Sequence, residues 1–412
     1  MTTNRRDFMK CMGVAASSLV AASAVPSIVK GADEPKKQSP IFDSVKIGSL
    51  TLKNRLMRAA MGERRCIANG SPAPDMIREY NGWAAGGTGL IITGLTGIMK
   101  ENHYGPGFAG FYEESQIPEY KVLTDGVHKN GAKICIQLVI TGFKRPFFGE
   151  NRKLYAPVPT KDPASGIEIK EGMSKEDIKR GVEAFAKATV MSQEAGFDMV
   201  EFHFAHDYLL HNFIVPYINK RTDEYGGSKV ENRARFAFEI VEAVRKAVGK
   251  DFPLIAKMEG NDYLGREGST QEDIDYVAQG LADRGVDALE ITGGNTLIKY
   301  AGLKYGPSIA DILSKEDQNY YARDARIIAK KVKIPLILTG GIRNIEMMEE
   351  ALKYNENLVA FGMARTLLSE PDLPNKWQKD PSYNPRCISC NWCLDNLFGD
   401  IANAQCVFRR DA

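Results

Sequence analysis

Eight short apolar runs, each followed by a stretch of helical pattern, constrain this chain more than any other feature. They lie at 55–61, 89–93, 133–138, 199–202, 254–258, 288–291, 335–339 and 358–361. Helical patterns lie between them, among others at 174–195, 229–248, 270–284 and 317–331. Runs this short and this apolar read as parallel strands covered on both faces. Eight βα units between residues 41 and 380 predict an α/β fold, a closed (β/α)8 TIM barrel with insertions. A doubly wound open sheet needs a chain of βαβ units with a switch point, and eight units favour closure.

In a barrel of this kind the chemistry sits at the C-terminal ends of the strands. The fourth run leads into His203, and His206 and Tyr208 follow three and five residues later. The chain has only five histidines, so two this close at a strand end argue against ordinary core residues or half a metal site. Two imidazoles and a phenol converge on one small polar atom and supply donors and one exchangeable proton. Gln137, at the end of the third run, is an amide that donates and accepts at once. The seventh run ends in Gly340-Gly341 and the eighth in Ala364-Arg365, where backbone N–H groups and an arginine can hold a phosphate. The spacing Gly105-x-Gly107-x-x-Gly110 fits a dinucleotide fingerprint, but no strand leads directly in and no clear helix follows. It reads as a loop.

Of seven cysteines, four crowd the end as Cys387-x2-Cys390-x2-Cys393-x12-Cys406. Such thiolates suit an iron–sulfur cluster or zinc. Two disulfides remain an alternative. Three cysteines within seven residues suit them poorly, since a cystine needs Cα separations of about 5.5 Å and a set torsion.

The amino terminus differs from the rest. Arg5-Arg6 precedes a weakly apolar Ala/Ser-rich run and Ala22-Ser23-Ala24, the pattern of a twin-arginine export signal over residues 1–32. The run is barely long enough to span a bilayer and contains Pro26, which argues against stable membrane insertion. A polar linker, 33–40, leads into the barrel, 41–380, and a cysteine-rich segment, 381–412. The location expected is therefore the periplasm. With 54 basic and 52 acidic residues, nothing points to nucleic acid as a partner. A homo-oligomer is compatible with the composition.

The stretch HFAHDYLL, followed by RTDEYGGS and ENRARF, resembles the Old Yellow Enzyme family of NADH:flavin oxidoreductases, from about residue 41 onward. The resemblance implies bound FMN and reduction of an activated C=C bond in a small-molecule substrate. His203 and His206 are then expected to bind the activating carbonyl and Tyr208 to give a proton. FMN is expected to lie against Ala60, Met61, Gly62, Gly94, Gln137, Arg233, Gly340, Gly341, Ala364 and Arg365, with Arg233 facing the flavin N1–O2 edge. Gly62 stands where the family often has threonine or cysteine. Ile140 and Phe143 replace a histidine and an arginine, which predicts a more apolar wall. Phe204 and Asp207 stand where glycine is common and are expected to narrow the pocket. CISCNWCLDNLFG is similar to the segment that holds a 4Fe–4S cluster in the dienoyl-CoA reductase and trimethylamine dehydrogenase branch, which makes Cys387, Cys390, Cys393 and Cys406 its expected ligands. Larger relatives of that branch continue into nucleotide-binding domains. This chain ends at Ala412, so electrons are expected from a redox protein. Two rivals stay open: an amine dehydrogenase, favoured by the cysteine spacing but with tyrosine in place of His203, and a non-catalytic electron carrier or binding module.

Overall fold

The computed structural model describes residues 38–143, 152–161, 166–295, 307–312, 314–398 and 403–409; the expected export signal lies outside them. Eight parallel strands form the barrel: β1 (Leu56–Arg58), β2 (Leu90–Ile92), β3 (Lys133–Val139), β4 (Met199–Phe204), β5 (Leu254–Glu259), β6 (Ala288–Thr292), β7 (Leu336–Thr339) and β8 (Leu358–Met363). Each pairs with the next, and β8 pairs back onto β1 through Phe361↔Leu56 and Met363↔Arg58, so the sheet has no open edge. The barrel expectation holds, with strand ends moved by a few residues.

The outer layer comprises α1 (Pro74–Ala85), α2 (Ile117–Lys129), α3 (Lys175–Glu194), α4 (Val230–Val248), α5 (Gln271–Asp283), α6 (Ala322–Ala329), α7 (Ile345–Lys353) and α8 (Arg365–Ser369). Ser174 opens α3 and Thr270 opens α5 with reciprocal capping boxes to Asp177 and Asp273, so both begin where the sequence predicts. α6 starts at Ala322 rather than near 317, because Asn319 takes a left-handed φ of 51° that a helix cannot contain.

Strand periodicity sorts the side chains. Along β4, Met199 joins the apolar group that fills the barrel floor, whereas Val200, Phe202 and Phe204 pack into the outer core. Phe202 meets Phe185 of α3 edge-on at 5.8 Å and stacks on Phe204 at 5.8 Å. Full burial of such a ring is worth about 1.5–3 kcal/mol. An antiparallel hairpin, Val45–Ile47 with Leu50–Leu52, adds Val45, Ile47 and Leu52 to Met57, Cys135, Met199, Ile255, Ala288, Ile337 and Ala360 at that floor. Sequence periodicity could not show it, since three residues are too few to establish a period.

The Gly105–Gly110 spacing is a loop, as expected. Gly105 and Gly107 have φ of 124° and 82°, and Ala109–Gly110 is a two-residue strand paired with Thr96–Gly97. The cysteine segment packs on the barrel: Cys393, Leu397, Ala404 and Cys406 are buried in the same core. No helix among the described residues is long and apolar enough to cross a membrane.

Candidate active site

The catalytic candidates come together at the C-terminal end of β4. His203 lies within the strand and is 4 % exposed. Its ring stands perpendicular to that of His206 with centroids 5.1 Å apart, and tilts against Tyr208 at 4.7 Å. Burial, and then the neighbouring Tyr104, push the Tyr208 phenol well above its usual pKa. It therefore stays protonated at neutral pH, as a proton donor must.

A strained turn holds this trio. His206 and Asp207 both take left-handed backbone, with φ of 59° and 57°. Such residues cost about 1–3 kcal/mol each and persist only where surrounding bonds hold them. Here the His206 N–H donates to Glu259 Oε1 at 2.7 Å, the Asp207 N–H donates to His211 Nδ1 at 3.1 Å, and Asn212 Nδ2 donates to the Asp207 carbonyl at 3.1 Å. Glycine would adopt this left-handed geometry freely. Aspartate tolerates it better than most residues. Thr292, at the end of β6, sets the other ring, with its Oγ1 3.0 Å from His206 Nε2. Neither Glu259 nor Thr292 stands out in the sequence. Phe204 lies on the outer face of β4 and does not narrow the mouth.

Arg233 does not reach the barrel axis. Its Nε donates to Ile214 O at 2.8 Å, its Nη1 to Gly227 O and Ser228 O at 3.1 and 2.6 Å, and its Nη2 pairs with Asp273 of α5 at 2.8 Å. Arg221 acts in the same way, clasping Asp223 with Nε and Nη2 while Nη1 reaches Pro157 O and Met173 O. The arginines of RTDEYGGS and ENRARF fasten the loop between β4 and α4.

The interior cation is Lys257 of β5, paired in register with His203. Its Nζ lies 2.6 Å from Glu290 Oε1 of β6, and Gln137 Nε2 donates to Glu201 Oε2 at 2.5 Å. All four are at most 3 % exposed. Burial and the neighbouring Glu290 push Glu201 well above the usual carboxylate range. Burial alone would also raise Glu290, but Lys257 outweighs it and holds that carboxyl low. The layer is thus an ion pair, a neutral acid and an amide. A charge in the middle of each of three apolar runs was the signal that could have found it. Breaking a buried pair from one side leaves an uncompensated charge. Lys257→Met is expected to lower stability by about 3–5 kcal/mol, read from the urea midpoint, with most of the loss recovered in Lys257→Met/Glu290→Gln. A single variant as stable as the parent contradicts the assignment.

The remaining cofactor candidates line loops on the same end. A buried network holds the first of them: Arg58 pairs with Glu63, Tyr80 donates to Glu63 Oε2 at 3.1 Å, and the Gly94 N–H donates to Tyr80 Oη at 3.0 Å. A Cβ on Gly94 would lie 2.6 Å from the Met61 carbonyl, so only glycine permits this approach of the two loops. Ala60 packs against the barrel-floor group beside them, and a Cβ on Gly62 would meet Leu397 at 3.2 Å. Gly340 and Gly341 take φ of 133° and 71°, and Ala364 precedes α8. Arg365 turns toward the cysteine segment, with Nη1 donating to Ile309 O at 2.8 Å and to Asn391 Oδ1 at 2.5 Å. Ile140 and Phe143 are buried. Arg152 nevertheless returns to this wall, donating to Thr141 Oγ1 with its guanidinium 5.4 Å from the Tyr104 ring.

Cys387, Cys390, Cys393 and Cys406 line one open pocket, together with Arg365, Ser389 and Asn391. The six described cysteines are free thiols, so the disulfide alternative is not realised among them. Burial pushes Cys393 up to about 11; Arg365 opposes this, and the three other cysteines add to it. Among the described residues no three His, Cys, Asp or Glu side chains converge on a single metal ion. The segment is fastened to the loop after β1 by Arg64 to Leu397 O, Arg65 to Ala404 O and Ala404 N–H to Glu63 O.

The model of the NADH:flavin oxidoreductase / NADH oxidase family matches residues 40–384. The chain is 34% identical over 365 residues to a metal reductase of Desulforamulus reducens, covering 87% of this chain and 52% of that protein. It is 32% identical over 395 residues to a cinnamate reductase of Clostridium sporogenes, covering 89% and 57%. The structure of a 2-naphthoyl-CoA reductase in complex with 2-naphthoyl-CoA superimposes with a TM-score of 0.79 at 25% identity, covering 90% of this chain and 56% of that one. The chain spans little more than half the length of each of these three relatives.

Proposed function

The chain belongs to the NADH:flavin oxidoreductase / NADH oxidase family, and from that premise we propose an FMN-dependent enzyme that reduces an activated C=C bond, supplied with electrons through a 4Fe–4S cluster. The observation that carries this reading is the His203–His206–Tyr208 group, with rings 4.7–5.1 Å apart and a phenol held protonated.

The residues present fit FMN. The Met61–Gly94 approach is free of side chains where a Cβ would intrude. Gln137 offers an amide edge, and Lys257 supplies a cation in the interior layer. Ala60, Met61, Gly62, Gly94 and Gln137 would hold the ring system, and Gly340, Gly341, Ala364 and Arg365 the phosphate. FMN, when bound and reduced, supplies a hydride to the β-carbon of the alkene. His203 and His206 donate hydrogen bonds to the carbonyl oxygen and stabilise negative charge as it develops there. Glu259 and Thr292 hold His206 in place. Tyr208 gives its proton to the α-carbon, so that hydride and proton together complete the saturated product.

The cysteine pocket fits a cluster by its donor set: four thiols around one cavity, with a cationic side chain on its wall to offset thiolate charge. A cubane needs sulfurs spread around four irons rather than converged on one ion. Ile388 and Phe408, 55 % and 45 % exposed, form an apolar rim where a one-electron carrier would dock. The export pattern at the amino terminus agrees with such a donor, since soluble NAD(P)H is scarce outside the cytoplasm.

The test is anaerobic single turnover of dithionite-reduced protein with a panel of enones and enoates, beside oxidised protein with amines. Rapid reoxidation by alkenes supports the reading; bleaching by amines alone sinks it in favour of the amine dehydrogenase. Tyr208→Phe is expected to leave flavin reduction unchanged and to slow alkene-driven reoxidation by ~10²-fold, within the range of general-acid catalysis. Reoxidation at the parental rate shows that the proton comes from elsewhere.

A further inference from the structure

We propose that Arg343 sets the reduction potential of the cluster held at Cys387–Cys406; the inference rests on the iron–sulfur reading of that segment. Arg343 lies on the loop after β7, two residues beyond Gly341 and directly before Asn344, whose side chain caps α7. It is 9 % exposed. Its guanidinium leaves the barrel and enters the cysteine segment. Nη1 donates to the Cys387 carbonyl, and Nη2 donates to Ser389 Oγ and, at 3.6 Å, to Cys387 Sγ.

Among the described contacts, Cys387 is the one pocket cysteine whose sulfur receives a side-chain N–H, and no carboxylate among the described residues pairs with Arg343. Arg365, the first residue of α8, offers its charge to the same pocket but spends its Nη1 on Asn391 and Ile309. The two arginines therefore differ. Arg365 supplies charge near the sulfurs, whereas Arg343 supplies charge and a hydrogen bond to one of them.

Hydrogen bonds to the sulfurs and net local charge are what a protein uses to set the potential of an iron–sulfur cluster. Adding one electron makes the cluster more negative, so a fixed cation and an N–H aimed at sulfur favour the reduced state. Burial strengthens both effects, because little water screens them. Arg343 also joins the cysteine segment to the loop of Gly340 and Gly341. The same side chain thus fixes how the cluster stands relative to the proposed phosphate cradle. A plainer role is a staple that holds only the Cys387–Ser389 turn, and Ser389→Ala isolates that role.

The experiment compares anaerobically purified wild type, Arg343→Gln, Arg343→Lys and Ser389→Ala. Iron and sulfide are counted first, and the cluster is then titrated with dithionite and mediators while its paramagnetic signal is followed. Arg343→Gln is expected to lower the equilibrium constant for one-electron reduction about tenfold, ~59 mV. Arg343→Lys, which keeps charge but not the fork, is expected to lower it by about threefold, and Ser389→Ala by less than twofold. The flavin titration should not move in any of them. A fully loaded Arg343→Gln within twofold of wild type overturns the proposal, as does an equal shift in Ser389→Ala. If Arg343→Gln fails to load iron, Arg343→Lys decides, and an unshifted titration there overturns it. Wild-type protein without iron and sulfide shows that the iron–sulfur reading has failed, and the inference fails with it.

Discussion

Replacing His203 by alanine is expected to slow alkene reduction by ~100- to 1000-fold, the usual cost of one donor to a developing oxyanion. The side chain sits within β4 rather than on a loop, so its place is set by strand pairing with β5 on one side and β3 on the other. It is nearly buried, and its ring contacts both His206 and Tyr208. Alanine leaves His206 as the remaining imidazole, and His206 already has Thr292 3.0 Å from its Nε2. The loss should fall on the alkene half-reaction and on the affinity for phenolic or enone ligands, measured as a flavin difference spectrum. Reduction of the flavin by dithionite should be unchanged. A His203→Ala enzyme that turns over within tenfold of the parent removes the carbonyl-binding role. His203→Asn offers a check on packing, since its amide retains a donor in a smaller volume.

How much of this was legible in the sequence depends on whether a residue's partners are near it in the chain. The eight strands could be read because each is a short, mostly apolar run bounded by turn residues. The His203–Tyr208 group could be read because strand periodicity and a short turn place it within six residues. Glu259 and Thr292 could not, since they reach the turn from β5 and β6 and only the closed barrel brings them there. At Asp207 the physical issue is a positive φ, not pocket width. Phe204 follows from the same periodicity: with His203 turned into the barrel, its neighbour on the strand points out.

Arg233 differs from its expected place for another reason. Arg233 lies in a recognisable motif, and motif membership says nothing about which way a side chain points. The structure turns it to Asp273 and three carbonyls of the segment that precedes α4. Lys257 lies in an unremarkable apolar run, yet a lone cation there must be paired inside the fold, because leaving it unpaired costs several kcal/mol. Glu290 supplies that pair. The buried charge in each of β4, β5 and β6 is thus a better guide to the barrel axis than the motif was.

Serine in place of Cys390 is expected to abolish turnover with a low-potential one-electron donor while leaving dithionite-driven alkene reduction intact. Cys390 is the one exposed cysteine of the four, on the rim with Ile388 and Phe408, whereas Cys387, Cys393 and Cys406 are buried. Serine removes the proposed thiolate ligand but little volume, so the barrel, its hydrogen bonds and the His203–Tyr208 group should persist. Dithionite reaches a flavin at the barrel mouth without the cysteine segment; a protein donor docked on the rim does not. The segment is fastened to the loops after β1 and β7 through Arg64 and Arg343, and to the start of α8 through Arg365. Those loops include the residues proposed to hold FMN, so that proposal would put the pocket beside the cofactor rather than on a remote face. Stopped-flow reduction of the flavin separates the routes. Slow bleaching by NADH and NADPH in the parent, with donor-driven bleaching lost in Cys390→Ser, supports supply through the cluster. Rapid, saturable bleaching of the parent by NADH or NADPH at low concentration shows that nicotinamide reduces the flavin directly at the barrel mouth. In that case Cys390→Ser should turn over normally with NADH, and the cysteine segment is a structural brace.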